Sequence, residues 1–305
     1  MLKNYVIFTT SLFLMMLTAL SGSLFLQDQE PKLIINMEDT NALPRNFRKA
    51  QTPFLKERSS EVVYLPVRNG LDKMNMSGSS QYSKGALQVI LKNVGRGPVY
   101  LIDLREESHG FINDHAASWF VERNWKNLGL TPQEIESDQQ TRLLEVHHMG
   151  KAFVYYDKHE ENPNEMLVKN VSSEERLAKN LKVNYKRFYV TDHMRPRDEV
   201  VDEFIQFVKS LPDKNWLHFH CKGGKGRTTT FMAMFDMMHN SRSVSFEDII
   251  LRQWLIGGIK LDDPEKDAEW KEFYVGERYE FLRNFYKYCR EHPQFDISWS
   301  EYTHN

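Results

Sequence analysis

The sequence predicts an α/β fold: a central, mainly parallel sheet flanked by helices. Three observations predict it. Short β-type runs alternate with longer helical patterns along the chain, the order that builds crossover units. The helical patterns carry a single apolar stripe, as at Val200/Val201, Phe204/Ile205 and Val208, the mark of a helix lying on a core. A chain of 305 residues, 41% hydrophobic and 27% charged, can bury a core as one large domain or as one domain with a small insertion.

Taken in chain order, the N-terminus departs from this ordinary composition. Lys3 precedes an apolar run from Tyr5 to Leu20, with small residues at Ala19, Ser21, Gly22 and Ser23. Basic, then apolar, then small is the order of a secretory signal peptide. Continued to Leu26, the run is just long enough to anchor in a bilayer. Residues 1–26 are expected to be a signal peptide or N-terminal anchor and residues 27–305 the folded domain, in a protein exported to the periplasm or secreted.

Residues 28–60 are polar and Pro-punctuated, with one apolar run at Leu33-Ile34-Ile35. Strands are expected at Val62–Val67, Ala86–Leu91, Val99–Leu104, Ala152–Tyr156, Phe188–Val190 and Trp216–His220. The β-rich stretch from about 55 to 95 fits either the edge of the main sheet or a small accessory β unit. Helices are expected at Asp114–Gly129, Ser172–Asn180, Arg197–Leu211, Gly226–Asn240 and Glu269–Glu291, the fourth so rich in Phe and Met that it must be buried on most sides.

The chemistry concentrates in His220-Cys221-Lys222-Gly223-Gly224-Lys225-Gly226-Arg227-Thr228, between a strand and a helix. Glycine turns this tightly without steric penalty and leaves successive N–H groups facing one cup. The cup opens on a helix N-terminus, where free N–H groups and the dipole favour an anion. A nucleotide-binding loop shares this outline but needs Gly-Lys-Ser/Thr at its end, where this chain has Gly226-Arg227-Thr228. Cys221 at the mouth of a positive cup is favoured as thiolate and expected to be a nucleophile. Six positions on, the Arg227 fork can grip two phosphoryl oxygens, and Thr228 can hydrogen-bond the sulfur. Gly223, Gly224 and Gly226 bring the binding N–H groups, and His220 is expected to support the loop. Sulfurtransferases and arsenate reductases share Cys-x5-Arg but need no acid for an alkoxide.

Here an acid is available. Asp192 follows a short strand and lies 29 residues before Cys221, room for one helix and one return strand, so both reach one sheet edge. Pro196 and the loop setting suit a mobile flap. Lys222 and Lys225 add charge beside the bound anion, more than a phosphotyrosine needs, and point to a substrate with several phosphates. The whole chain carries a formal charge of only −2, so no global field attracts nucleic acid or membrane. No metal and no cofactor is required. Of the two cysteines, Cys289 falls in a helical pattern with Phe281, Leu282, Phe285 and Tyr288 and is expected in the core; a disulfide would tie up Cys221.

His220-Cys221…Arg227-Thr228-Thr229-Thr230-Phe231-Met232 resembles the loop of the bacterial protein-tyrosine-phosphatase-like phytases. Ile102-Asp103-Leu104-Arg105-Glu106-Glu107-Ser108-His109-Gly110, Thr191-Asp192-His193 and Asn46-Phe47-Arg48 extend the resemblance over residues 44–290. It implies a phosphatase-type α/β core and stepwise, metal-free dephosphorylation of myo-inositol hexakisphosphate through a cysteinyl-phosphate. It further implies Asp192 as general acid, Asp103 and His193 lining the pocket, and Arg48, Lys266 and Lys271 on peripheral phosphates. Lysines at 222 and 225 also match the loop of phosphoinositide 3-phosphatases, so a lipid inositide or a phosphoprotein is the alternative substrate, and a non-catalytic phospho-binding module the alternative class. No obligatory membrane partner is expected, and oligomeric state is not legible.

Overall fold

The computed structural model describes residues 30–95, 97–263 and 269–304; the expected signal or anchor segment at 1–26 and Lys266 lie outside these residues. The main sheet has five strands: β2 (Arg48–Lys49), β3 (Met76–Ser80), β4 (Val99–Asp103), β10 (Asn184–Arg187) and β11 (Trp216–Cys221). Their order is β10-β4-β11-β3-β2, parallel throughout except for the short edge strand β2. The expected central parallel sheet is therefore present.

Side chains alternate across this sheet. Ile102, Leu217, Phe219 and Cys221 join the larger core, formed with helices α5 (Asp198–Ser210), α6 (Gly226–Asn240), α7 (Phe246–Leu255), α8 (Glu269–Glu291) and α9 (Trp299–His304). Leu101 points the other way, into a smaller cluster with Tyr82 and with Ala86, Leu87 and Leu177 from α2 (Lys84–Asn93) and α4 (Glu174–Asn180). Each fully buried Leu, Ile or Phe side chain among these contributes roughly 1.5–3 kcal/mol. Cys289 is a free thiol 2% exposed within the larger core, as expected, and burial pushes it well above the usual thiol range.

An accessory β unit exists, but not in the stretch expected for it. It is the antiparallel sheet β1 (Lys32–Met37), β6 (His115–Phe120), β5 (His109–Ile112) and β9 (Val171–Ser172). With the hairpin β7 (Lys151–Val154)–β8 (Asn164–Leu167) and helix α3 (Pro132–Met149) it closes its own core around Ile35, Trp119, Leu143 and Val154. Asp114–Gly129, expected as a helix, instead holds strand β6 followed by a turn: Ala117 and Trp119 enter this core while Ala116 faces the other, a period of two rather than 3.6. Helix α3, absent from the expected helices, carries local signals of its own: a Thr131–Glu134 capping box, Pro132 in the first turn and Gly150 left-handed at the C-cap.

Ala86–Leu91, expected as a strand, lies in α2, started by Ser83 accepting from the Ala86 N–H. Phe188–Val190 follows β10 rather than forming it, although Phe188 N still donates to Asp103 O at 2.8 Å. Val62–Val67, after the short helix α1 (Lys56–Ser59), is an exposed loop with Val63, Tyr64 and Leu65 in solvent. The segment after it is tied down by one buried arginine. Arg252 Nη1 donates to Val67 O (3.1 Å) and Asn69 O (3.0 Å), while its Nε donates to Asp236 Oδ2 at 2.8 Å, both side chains being fully buried. Asp236→Ala strands that guanidinium without its counter-charge, and urea melts should show a loss of roughly 3–5 kcal/mol.

Candidate active site

Parallel strands end at a common edge, and three of those ends supply the chemistry. β11 ends in Cys221, the chain beyond β4 carries Glu107, and the chain beyond β10 carries Asp192. The interval between Asp192 and Cys221 holds α5 and β11, the helix and return strand expected.

The Cys loop closes because Gly224 is a glycine. Its φ is +67°, and a Cβ there would stand 2.2 Å from Ser80 N and 2.3 Å from Ser79 C, rigid backbone of β3. Gly78 plays a matching part in β3, where a Cβ would meet Thr228 Cγ2 at 2.7 Å and Met232 Sδ at 2.6 Å. Helix α6 thereby descends onto the sheet, and Thr228 Oγ1 donates to Cys221 Sγ at 3.2 Å.

Arg227 is buried behind the cup and held fork to fork by Glu107: Nη1 donates to Oε2 at 2.7 Å and Nη2 to Oε1 at 3.0 Å. Nη1 also donates to Val190 O at 3.0 Å. Asp192 Oδ1 lies 3.1 Å from Arg227 Nη2. Burial opposes ionisation of Asp192, but Arg227, His193 and the Asn124 amide outweigh it and hold the carboxyl below its usual range. Burial likewise opposes ionisation of Glu107, and the two guanidiniums of Arg227 and Arg105 overcome it, leaving Glu107 a firm carboxylate.

A cavity of about 680 Å³ opens above Cys221. It brings together the expected Asp192, His193, Lys222, Gly223, Lys225, Gly226 and Lys271. Lys222 rests 4.7 Å above the Phe120 ring, and burial, with Arg105 nearby, lowers its ammonium to about 8. His193 has a left-handed φ of 72° and meets the Trp270 ring edge-on, centroids 4.8 Å apart; burial lowers its imidazole below the ordinary value. The segment expected as a mobile flap is tied on two sides, with Asn124 Nδ2 donating to Asp192 Oδ2 at 2.6 Å and Trp125 Nε1 to Asp192 O at 3.0 Å.

Two expected ligands stand elsewhere. Arg48 is 2% exposed beneath the loop, donating to Gly224 O at 2.8 Å and Thr229 Oγ1 at 3.0 Å. A guanidinium spent on the carbonyl side of the loop braces it and does not reach a peripheral phosphate. Asp103 is fully buried and absent from the cavity wall. It accepts from Tyr185 Oη at 2.8 Å and from Arg105 N at 2.9 Å, with Arg187 Nε at 3.3 Å. Asp103, His109 and Glu174 lie close enough to hold a metal, but protein partners already crowd them: His220 Nε2 is 2.6 Å from Glu174 Oε1, and Gln81 Nε2 donates to Glu174 Oε2 at 2.9 Å. His220 thus backs the loop through Glu174.

The sequence reading assigned no role to Glu107, and none to Asn124 or to the cavity's further basic residues Arg45, Arg123, Lys158, His159 and Arg278. For Glu107 a signal existed: Arg105-Glu106-Glu107-Ser108-His109 is a charged run directly after a buried strand, where charge must be paired. The others come from separate elements and carried none.

A strand, a Cys-x5-Arg cup, a helix and an acid over its mouth define the fold and site of a cysteine-dependent phosphatase. The family model of the protein-tyrosine-phosphatase-like phytases, described as inositol hexakisphosphate, matches residues 102–239. The tandemly repeated protein-tyrosine-phosphatase-like phytase of Mitsuokella multacida is similar at 36% identity and TM-score 0.83, over 91% of this chain and 49% of that one; a protein-tyrosine-phosphatase-like myo-inositol phosphatase of the same organism, solved with myo-inositol-(1,3,4,5)-tetrakisphosphate, is similar at 35% identity and TM-score 0.83 over the same shares. A phytase of this type from Bdellovibrio bacteriovorus matches at 33% identity and TM-score 0.71, over 91% of this chain and 97% of that one. The effector protein hopD2 of Pseudomonas syringae pv. tomato is 29% identical over 243 residues, 52% of its length. The chain spans about half the length of the Mitsuokella and Pseudomonas relatives. It belongs to the protein-tyrosine-phosphatase-like phytase family.

Glu107→Gln keeps the shape of the side chain but removes the charge that holds the Arg227 fork. Turnover should fall on the order of 10²-fold with the fold intact by circular dichroism, and unchanged turnover would show that Arg227 needs no such partner.

Proposed function

We propose that the protein hydrolyses phosphomonoesters of soluble inositol polyphosphates, myo-inositol hexakisphosphate among them, through a cysteinyl-phosphate. The observation that carries this reading is the cavity itself. Cys221, a paired Asp192 and a basic wall occupy one opening of about 680 Å³, far larger and more positive than a single phosphoryl group requires. The solved Mitsuokella complex with an inositol tetrakisphosphate supports the same substrate class.

In the proposed first step the Cys221 thiolate attacks phosphorus and the P–O ester bond breaks. Arg227 and the loop N–H groups hold the equatorial oxygens as charge spreads over them. The phosphate displaces Asp192 from Arg227, which lifts the interaction that keeps Asp192 ionised, so the carboxyl can carry the proton that the leaving alkoxide takes. In the second step water attacks phosphorus, Asp192 accepts its proton, and the S–P bond breaks. The hydrogen bond from Thr228 at 3.2 Å stabilises the departing thiolate.

We also propose that the chain acts after export, a reading supported by Lys3 and the apolar run behind it; N-terminal sequencing of the mature protein tests it, and a retained Met1 in the cytoplasm would overturn it.

Phosphate release from phytate, a lipid inositide and a phosphotyrosine peptide should rank phytate first, and phytate ranking last would overturn the substrate class. Asp192→Asn should slow phytate turnover by about 10²-fold or more, and Cys221→Ser should abolish it, whereas a binding module would keep its biological effect.

The Lys222 ammonium, lowered to about 8, is charged below that pH and neutral above it. KM for phytate should therefore rise roughly tenfold as pH passes upward through that value, the loss of one charged hydrogen bond. Lys222→Arg, which stays charged, should abolish the rise.

A further inference from the structure

The chain leaving β6 makes an uncommon turn at the cavity wall. Arg123 and Asn124, neighbours and neither a glycine, both sit in the left-handed region at φ 61° and 62°. Such backbone persists only where its surroundings hold it, and it gathers at functional sites. Here the surroundings are specific. The Arg123 guanidinium lies 5.0 Å from the Trp125 ring and 4.4 Å from the Trp270 ring, bridging this turn to α8. Asn124 is 8% exposed and spends both ends of its amide on the site: Nδ2 donates to Asp192 Oδ2 at 2.6 Å, and Oδ1 accepts from Lys222 Nζ at 3.4 Å.

We propose that Asn124 is the positioning residue of the general acid, fixing which oxygen of Asp192 carries the proton and tying that carboxyl to the Cys loop through Lys222. The inference rests on Asp192 being the acid. An amide suits these partners, because a carboxylate needs a donor and an ammonium needs an acceptor. Asn also tolerates the left-handed backbone better than most residues.

The consequence is geometric. Oδ2 is engaged by the amide, whereas Oδ1 faces Arg227 at 3.1 Å and accepts from His193 N at 3.1 Å. Once phosphate takes Arg227, Oδ1 is the oxygen left facing the phosphoryl group. It holds the proton and passes it to the leaving oxygen while the ester bond breaks. The amide keeps Oδ2 in place, so the carboxyl does not rotate away when its guanidinium partner is withdrawn.

The amide also stabilises the carboxylate form, alongside several charges around it. Asp192 is faced by Arg227, with Glu107 behind it, by His193 and Asn124, and by Lys222 from the Cys loop. Glu106 reaches the preceding residue, Thr191, and Lys271 and Arg278 of α8 act on His193. Removing the Asn124 donor leaves all of these in place and raises the carboxyl. The acid form then survives to higher pH, and the alkaline limb of the rate profile that depends on Asp192 moves upward.

The test compares Asn124→Ala, Asn124→Asp and Asp192→Asn across pH, with phytate and with p-nitrophenyl phosphate, whose leaving group departs without a proton. On phytate, Asn124→Ala should lower kcat by roughly 10- to 100-fold with little change in KM. The limb that Asp192→Asn abolishes should move up by about one pH unit. Asn124→Asp, nearly isosteric, sets a second carboxylate against the first and should move that limb further. It carries the same readout should the alanine variant fail to fold. The first-turnover burst of p-nitrophenolate should persist in the Asn124 variants, since that step needs no proton and their Cys loop is intact. A wild-type limb and kcat on phytate in both Asn124 variants would overturn the inference. Wild-type phytate turnover in Asp192→Asn would instead remove the acid assignment itself, and the role of Asn124 with it.

Discussion

Glu107 and Arg227 meet as two parallel forks, with neither side chain more than 2% exposed. Removing two charges from water is unfavourable, and only close, complete pairing compensates for it. The pairing here is shared among strand ends: Glu107 beyond β4, Val190 O and Asp192 beyond β10, and Arg227 itself just after β11 and its loop. One guanidinium therefore reads whether the parallel strands have reached a common edge. In the proposed mechanism phosphate takes the place of Asp192 on that guanidinium, but not of Glu107, whose carboxylate is buried and pinned by Arg105 Nε at 2.9 Å. Arg227 is thus fixed at one end and exchangeable at the other, which is what a phosphoryl clamp needs.

Around this centre the accessory antiparallel sheet does more than close a second core. The end of β6 and the turn after it bring Phe120, Arg123 and Asn124 to the cavity, and the β7–β8 connection brings Lys158 and His159. Helix α8 supplies Trp270, Lys271 and Arg278 from the opposite side. The basic wall of the cavity comes from elements far from the Cys loop in sequence.

The sequence showed the Cys loop, its acid and the helices with strong stripes because each rests on local rules. Cys221, Arg227 and the glycines obey a fixed spacing, and α5 and α6 have the bounds their patterns implied to within a residue. Strand β3 was invisible for a physical reason. Met76-Ser77-Gly78-Ser79-Ser80 lacks a β-type signal because α6 and Gly224 approach it too closely for large side chains. Val62–Val67 shows the converse: its composition suits a strand, but no neighbouring edge pairs with it, and it stays in solvent. Arg48 and Asp103 were placed by resemblance on the substrate, yet both are buried under hydrogen bonds. Sequence identifies a charged residue near a motif without saying which side of the loop it occupies.

By itself the sequence determined the nucleophile's setting, the α/β class and the excess of positive charge at the loop, since turn geometry, helix ends and local charge follow from neighbours in the chain. Tertiary structure decided the partner of Arg227, the turn that holds Asp192 and the basic wall of the cavity. Those depend on pairings such as Arg227 with Glu107, 120 residues apart, and no local propensity encodes which distant charge will share a buried site.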